Sequence, residues 1–98
     1  MIRIIYNWEV EPEKLELFIE TWKRTTNKIH EEVKGARGRF MLQNDKDPSE
    51  IKTIARWDSL DDWQQFWHAG NHSQMGSMHD LGERVAVEIF TEVDDFTR

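Results

Sequence analysis

The first ten residues constrain the fold more than any other stretch of the chain. In MIRIIYNWEV, Ile2, Ile4, Tyr6, Trp8 and Val10 alternate with Arg3, Ile5, Asn7 and Glu9, the period of a β-strand. One face of that strand is wholly apolar and must be buried against another layer. The other is mixed, with Ile5 beside the polar Asn7. A chain of 98 residues is one domain. A domain this short removes only about 60–70% of its unfolded surface from water, so it needs a dense core or a partner.

The period then changes. Pro12 suits the first turn of a helix, where its missing N–H is not needed. Leu15, Phe18, Ile19, Trp22, Ile29 and Val33 follow on one stripe about 120° wide. Gly35 is the natural left-handed cap at its end. Thr25-Thr26-Asn27 is poor in helix propensity and marks a place for a bend. Ala36–Gln43 reads as a second strand, with Phe40 and Leu42 opposed to Arg37, Arg39 and Met41. Residues 44–50 form a polar hairpin loop punctuated by Pro48. Residues 51–57 form a third strand, with Ile51, Thr53, Ala55 and Trp57 on one face.

Ser59-Leu60-Asp61-Asp62 resembles a capping box with Asp in place of Glu. The two aspartates also suit the positive end of a helix dipole. In the helix that follows, Leu60, Trp63, Phe66 and Trp67 share one arc, and Ala69-Gly70-Asn71 stops it. Ser73 caps a short third helix carrying Met75, Met78 and His79 on one face. Residues 85–93 form the last strand and 94–98 a tail.

The order is β-α-β-β-α-(α)-β, an α+β ferredoxin-like arrangement with a four-stranded antiparallel sheet and helices on one face. It predicts one domain over 1–98 with its core in 2–93. Helices on one side leave the other side of the sheet uncovered. The apolar faces Ile2/Ile4/Tyr6/Trp8 and Val85/Val87/Ile89 read as more than the helices alone can bury. A homodimer whose sheets face each other is therefore expected.

Bulk chemistry excludes several classes. A net charge of −6 and a pI of about 5.1 disfavour nucleic acid and anionic membranes. With no cysteine there are no disulfides, thiolate nucleophiles or Cys-type zinc sites. No run approaches 18 apolar residues, and the opening strand is too polar for a secretion signal. A cytoplasmic protein is expected. There is no paired-carboxylate site, glycine-rich phosphate loop or metal-ligand spacing, so no metal is expected.

With that order in hand, the residues resemble the antibiotic biosynthesis monooxygenase family of dimeric α+β barrels. The pieces that carry the resemblance span residues 2–93. They are Asn7-Trp8, Val10-Glu11-Pro12, Lys34-Gly35-Ala36-Arg37-Gly38, Ala55-Arg56-Trp57-Asp58-Ser59, Trp63-Gln64-Gln65-Phe66-Trp67 and the closing strand 87–93. The resemblance implies a pocket between the helices and the sheet. It also implies one of several activities. Some members are cofactor-independent oxygenases that turn hydroxylated polycyclic aromatics into quinones. Others degrade haem with a strand-one Asn, a second-helix Trp and a later His, and others act on small quinones or signalling molecules.

Candidate residues follow from both lines. Asn7 matches the strand-one Asn and is a polar amide on a part-apolar face; its plainer role is a structural hydrogen bond. Trp63, Phe66 and Trp67 make a flat wall suited to a planar aromatic ligand, although such a stripe is more often core. His72 and His79 are candidate bases or axial ligands. Arg56 is an anchor for an anionic group or an ordinary strand-face ion pair. In haem degraders the ligand-facing Trp falls where Phe66 stands here, and the axial His where Gly76 or Ser77 stands. The leading expectation is a cofactor-independent monooxygenase acting on a small or polycyclic hydroxylated aromatic. Asn7, His79 and Trp67 would be catalytic, with Phe66, Trp63, Arg56 and His72 binding substrate. The alternatives are a haem-binding or haem-degrading monooxygenase and a non-enzymatic dimer that binds a small ligand.

Overall fold

The computed structural model describes residues 1–68 and 76–94, with only the backbone at 76 and 77. The strands are β1 (Ile2–Glu9), β2 (Ala36–Gln43), β3 (Glu50–Trp57) and β4 (Glu83–Thr91). The helices are α1 (Leu15–Glu32), α2 (Leu60–His68) and α3 (Gly76–His79), with a 3-10 turn at Pro12–Lys14 ahead of α1. The sheet order is β2-β3-β1-β4 with every pairing antiparallel. This is the expected ferredoxin-like arrangement, with β1 and β3 in the centre.

The register sorts the strand residues onto two faces. Ile89, Ile4, Ala55 and Arg39 form one row across the sheet, and Val87, Tyr6, Thr53 and Met41 the next. These rows face the helices. Ile4 and Trp8 are fully buried there, with Ile2, Tyr6, Val10, Ile51 and Trp57. Helix α1 lays Phe18, Thr21, Trp22, Thr25 and Ile29 against them. The helix runs unbroken through residues 25–27, where a bend was expected, with Thr25 on its buried face. The Thr26 hydroxyl donates to the Trp22 carbonyl at 2.7 Å. The α1–β2 turn closes on Gly35, whose φ of +89° is the left-handed conformation glycine tolerates best. A Cβ there would also lie 2.5 Å from Asp62 Oδ2, so this turn packs directly on the start of α2. That start is capped as expected: the Asp62 N–H donates to Ser59 Oγ at 3.1 Å.

The opposite face carries the row Glu88, Ile5, Ile54 and Phe40, flanked by Phe90, Arg3 and Arg56 on one side and Ala86, Asn7, Lys52 and Leu42 on the other. Here Phe40, Leu42 and Phe90 are about half exposed. The uncovered face is therefore made of other residues than those expected. Ile2, Ile4, Tyr6 and Trp8 lie under the helices, and the open face is the Ile5, Ile54, Phe40, Leu42 and Phe90 face. Val87 and Ile89 lie on the helix side but stay exposed on edge strand β4. The last strand also starts earlier than its hydrophobic alternation suggests. It begins at Glu83, and a bulge opposite Asn7 and Trp8 breaks its period.

Candidate functional site

The bulge decides what the site contains. After it, Arg84 pairs with Trp8 and so takes a position on the helix side of the sheet. Its guanidinium carbon lies 4.8 Å from the centre of the Trp67 ring, within cation–π distance. Among the described residues, its Nη1 is buried without a hydrogen-bond partner. A buried donor of this kind normally has an acceptor to meet.

Trp67 is the centre of an aromatic stack. Tyr6 lies against it at 6.3 Å with ring planes 25° apart, and Trp63 at 5.4 Å. Trp63 Nε1–H donates to the Tyr6 hydroxyl oxygen at 3.1 Å, which locks helix α2 to β1. Burial pushes the Tyr6 phenol up to about 12, against the opposing pulls of the Trp63 hydrogen bond and the Arg84 charge. Tyr6 is therefore neutral at any ordinary working pH.

Arg84 also lines an open cleft of about 650 Å³, within the usual size of small-molecule sites. His79, Gly82 and Arg84 line it together with Glu9, Pro12 and Lys14. Gly82 is what lets the β4 entry lie against the end of β1. A Cβ there would come within 2.8 Å of Val10 Cγ2 and 3.2 Å of the Glu9 carbonyl. His79 is exposed on this cleft, its ring 5.2 Å from that of buried Trp8. A second, much narrower cavity of about 40 Å³ lies between α1, the sheet and α2.

The expected site residues divide by face. Trp63, Trp67 and His79 lie on the helix side. Phe66 is buried against Trp57 at 5.3 Å and lines the narrow cavity. Asn7 does not join them. Alternation along β1 turns it to the open face, where its amide donates to Glu88 Oε1 at 2.6 Å. Arg56 is on that face too, paired with Glu92 at 2.7 Å. Arg56 and Arg3 together hold the Glu92 carboxyl below its ordinary range. His72 lies outside the described residues. Sequence reasoning missed Arg84, because the bulge hides its face, and Tyr6, whose hydroxyl was absorbed into an apolar strand face. The signal for Tyr6 was present: it is the only hydroxyl-bearing side chain on that face of β1.

The strand-one Asn of the haem arrangement is thus absent from the Trp67–His79 side, and that ligand set is not assembled among the described residues. Among the described residues no group of His, Asp or Glu has metal-site geometry. No helix among them is long and apolar enough to cross a membrane.

The family described as antibiotic biosynthesis monooxygenase matches residues 1–76. The fold is similar to that of SnoaB, a cofactor-independent oxygenase from Streptomyces nogalater, in a point variant. The two are 15% identical, with TM-score 0.79 over 99% of this chain and 97% of that one. A Bordetella bronchiseptica protein named for the same family is 15% identical, with TM-score 0.79 over 94% and 96%. A conserved protein from Methanosarcina mazei is 15% identical, with TM-score 0.73 over 91% and 89%. No curated protein matches the chain.

Proposed function

The chain belongs to the antibiotic biosynthesis monooxygenase family, and from that membership we propose that it oxidises a planar hydroxylated aromatic to a quinone with no bound cofactor. One observation carries the reading. Arg84 meets an aromatic stack and also lines an open cleft, with a buried Nη1 unspent among the described residues. A phenolate on an aromatic ring matches both halves of that arrangement.

The chemistry needs little from the protein. A hydroxyarene and dioxygen give a quinone and water. The ring loses one C–H and one O–H hydrogen, both to the water, and one oxygen atom becomes the new carbonyl. All four electrons come from the substrate. The chain has to bind, deprotonate and orient. His79, on the same cleft, is placed to take the phenolic proton. Arg84 holds the resulting phenolate by charge-assisted hydrogen bonding, and Trp67 backs the ring. The similarity to a cofactor-independent oxygenase supports this at the level of fold alone.

The test is oxygen uptake with a panel of hydroxylated mono- and polycyclic aromatics. The wild-type protein should consume one dioxygen per quinone, and His79→Ala should slow it about 100-fold. Uptake no faster than buffer, with tryptophan quenching still reporting ligand binding, would replace the enzyme by a binding protein.

The working unit proposed is a homodimer. The open face sets Ile5, Ile54, Phe40, Leu42 and Phe90 in adjoining rows, and a patch of that kind on a small domain marks an interface. Two copies related by a twofold axis would bury it sheet to sheet. Light scattering should give twice the chain mass at micromolar concentration, and Ile54→Asp should halve it. A monomer mass for the wild type would overturn the assignment.

A further inference from the structure

We propose that the narrow cavity between α1, the sheet and α2 is a dioxygen pocket, separate from the cleft that takes the aromatic substrate. The proposal rests on the oxygenase reading above and adds where the second substrate waits.

Size comes first. The cavity measures about 40 Å³. A single water needs roughly 10–15 Å³ of such space, and an engineered cavity of about 150 Å³ admits benzene. The cavity therefore suits a guest of two or three heavy atoms and excludes an aromatic ring. Its lining comes second. Trp22, Ile29, Ala36, Ala55 and Phe66 supply hydrocarbon and ring surface, and Thr26, His30, Arg39, Thr53 and Arg56 are polar members of the lining. Arg39 is turned over the Trp22 ring at 5.3 Å. Most of the surface the cavity exposes is apolar, which suits an apolar diatomic better than a water that needs two to four polar partners.

The third observation concerns what this wall offers once an electron arrives. Trp57 and Tyr6 both line the cavity and are 2% and 4% exposed. Among the described residues, Trp57 Nε1–H has no partner. The Tyr6 hydroxyl oxygen accepts from Trp63, and its own proton has no acceptor among the described residues. When a substrate phenolate passes one electron to dioxygen, the phenolate becomes a phenoxyl radical and dioxygen becomes superoxide. Two neutral donors on that wall then have a new negative charge to meet, which offsets the cost of leaving them unpaired in the ground state. Tyr6 also stacks on Trp67, so it is the wall common to the cavity and the aromatic platform.

Two measurements test the pocket, and the first does not depend on activity. Under several bar of oxygen, the methyl groups of Ile29, Ala36 and Ala55 should show paramagnetic relaxation beyond that of the exposed Val93. Relaxation no greater than at the surface, with an exchange-resolved water contact at Trp57 Nε1–H, would show an internal water and overturn the proposal. In the second, Ala55→Leu fills the cavity and should raise the KM for dioxygen about tenfold while the KM for the aromatic stays unchanged. Should that variant fold poorly, Ala36→Val is the smaller filling and should move the same constant in the same direction. An oxygen KM that neither variant moves would overturn the pocket and leave the oxygenase standing. A wild type that oxidises nothing would remove the oxygenase, and the relaxation experiment would still decide what the cavity holds.

Discussion

Trp8→Ala is expected to remove about 3–5 kcal/mol of stability, much of the about 5–15 kcal/mol that holds a small domain together. Trp8 is fully buried in central strand β1. It meets Phe18 of α1 edge to face at 5.2 Å, and the His79 ring at the same distance. Its Nε1–H donates to Thr53 Oγ1 of β3 at 3.1 Å. One side chain thus ties together a strand, its neighbour, the long helix and the short one. Truncation leaves a large void and strips the Thr53 hydroxyl of a buried partner, and the two losses add. Trp8→Phe keeps most of the ring and should cost about half as much. Urea unfolding followed by circular dichroism measures both. A Trp8→Ala loss below about 1.5 kcal/mol would mean that α1 and α3 rest on other contacts than these.

Arg84→Leu is expected to lower kcat/KM by about 30–100-fold, the cost of removing a hydrogen bond to a charged group from a desolvated site. The same change should leave the melting temperature unchanged or raise it. A buried guanidinium N–H without an acceptor costs free energy in the folded chain, and leucine removes that cost. Loss of activity with no loss of stability distinguishes a ligand-holding arginine from one that merely props up the stack. Arg84→Lys should not rescue the rate, because an ammonium offers neither the planar contact with Trp67 nor the forked donors. Equal falls in melting temperature and in kcat/KM would instead make Arg84 a structural residue, and the phenolate reading would lose its anchor.

Tyr6 adds a pH signature that can be read without a substrate. As the single tyrosine of the chain, it can be titrated alone by ultraviolet absorbance. Its phenol is raised in the folded state, so the unfolded chain loses that proton first as pH rises. Stability from Tyr6 is present in full below about pH 10 and is lost between there and about pH 12.

Much of this was written locally in the chain. The alternation of residues 2–10 made β1, and Gly35 ended the α1 turn through a backbone angle that side chains avoid. Ser59 capped α2 through one hydrogen bond to Asp62. The strand and helix order that follows from these signals was enough for the ferredoxin-like fold, because period, caps and turns depend on neighbours a few residues away. The site was a different matter. Trp67 and His79 could be picked out as candidates, but their partners could not. Asn7 went to the far face to meet Glu88, 81 residues away in sequence. Arg84 reached Trp67 only because a bulge against β1 shifted the phase of β4. Which face the helices cover, and which cation they cover with it, depend on strand register and packing between distant segments. Those are properties of the folded sheet, and no spacing within one segment encodes them.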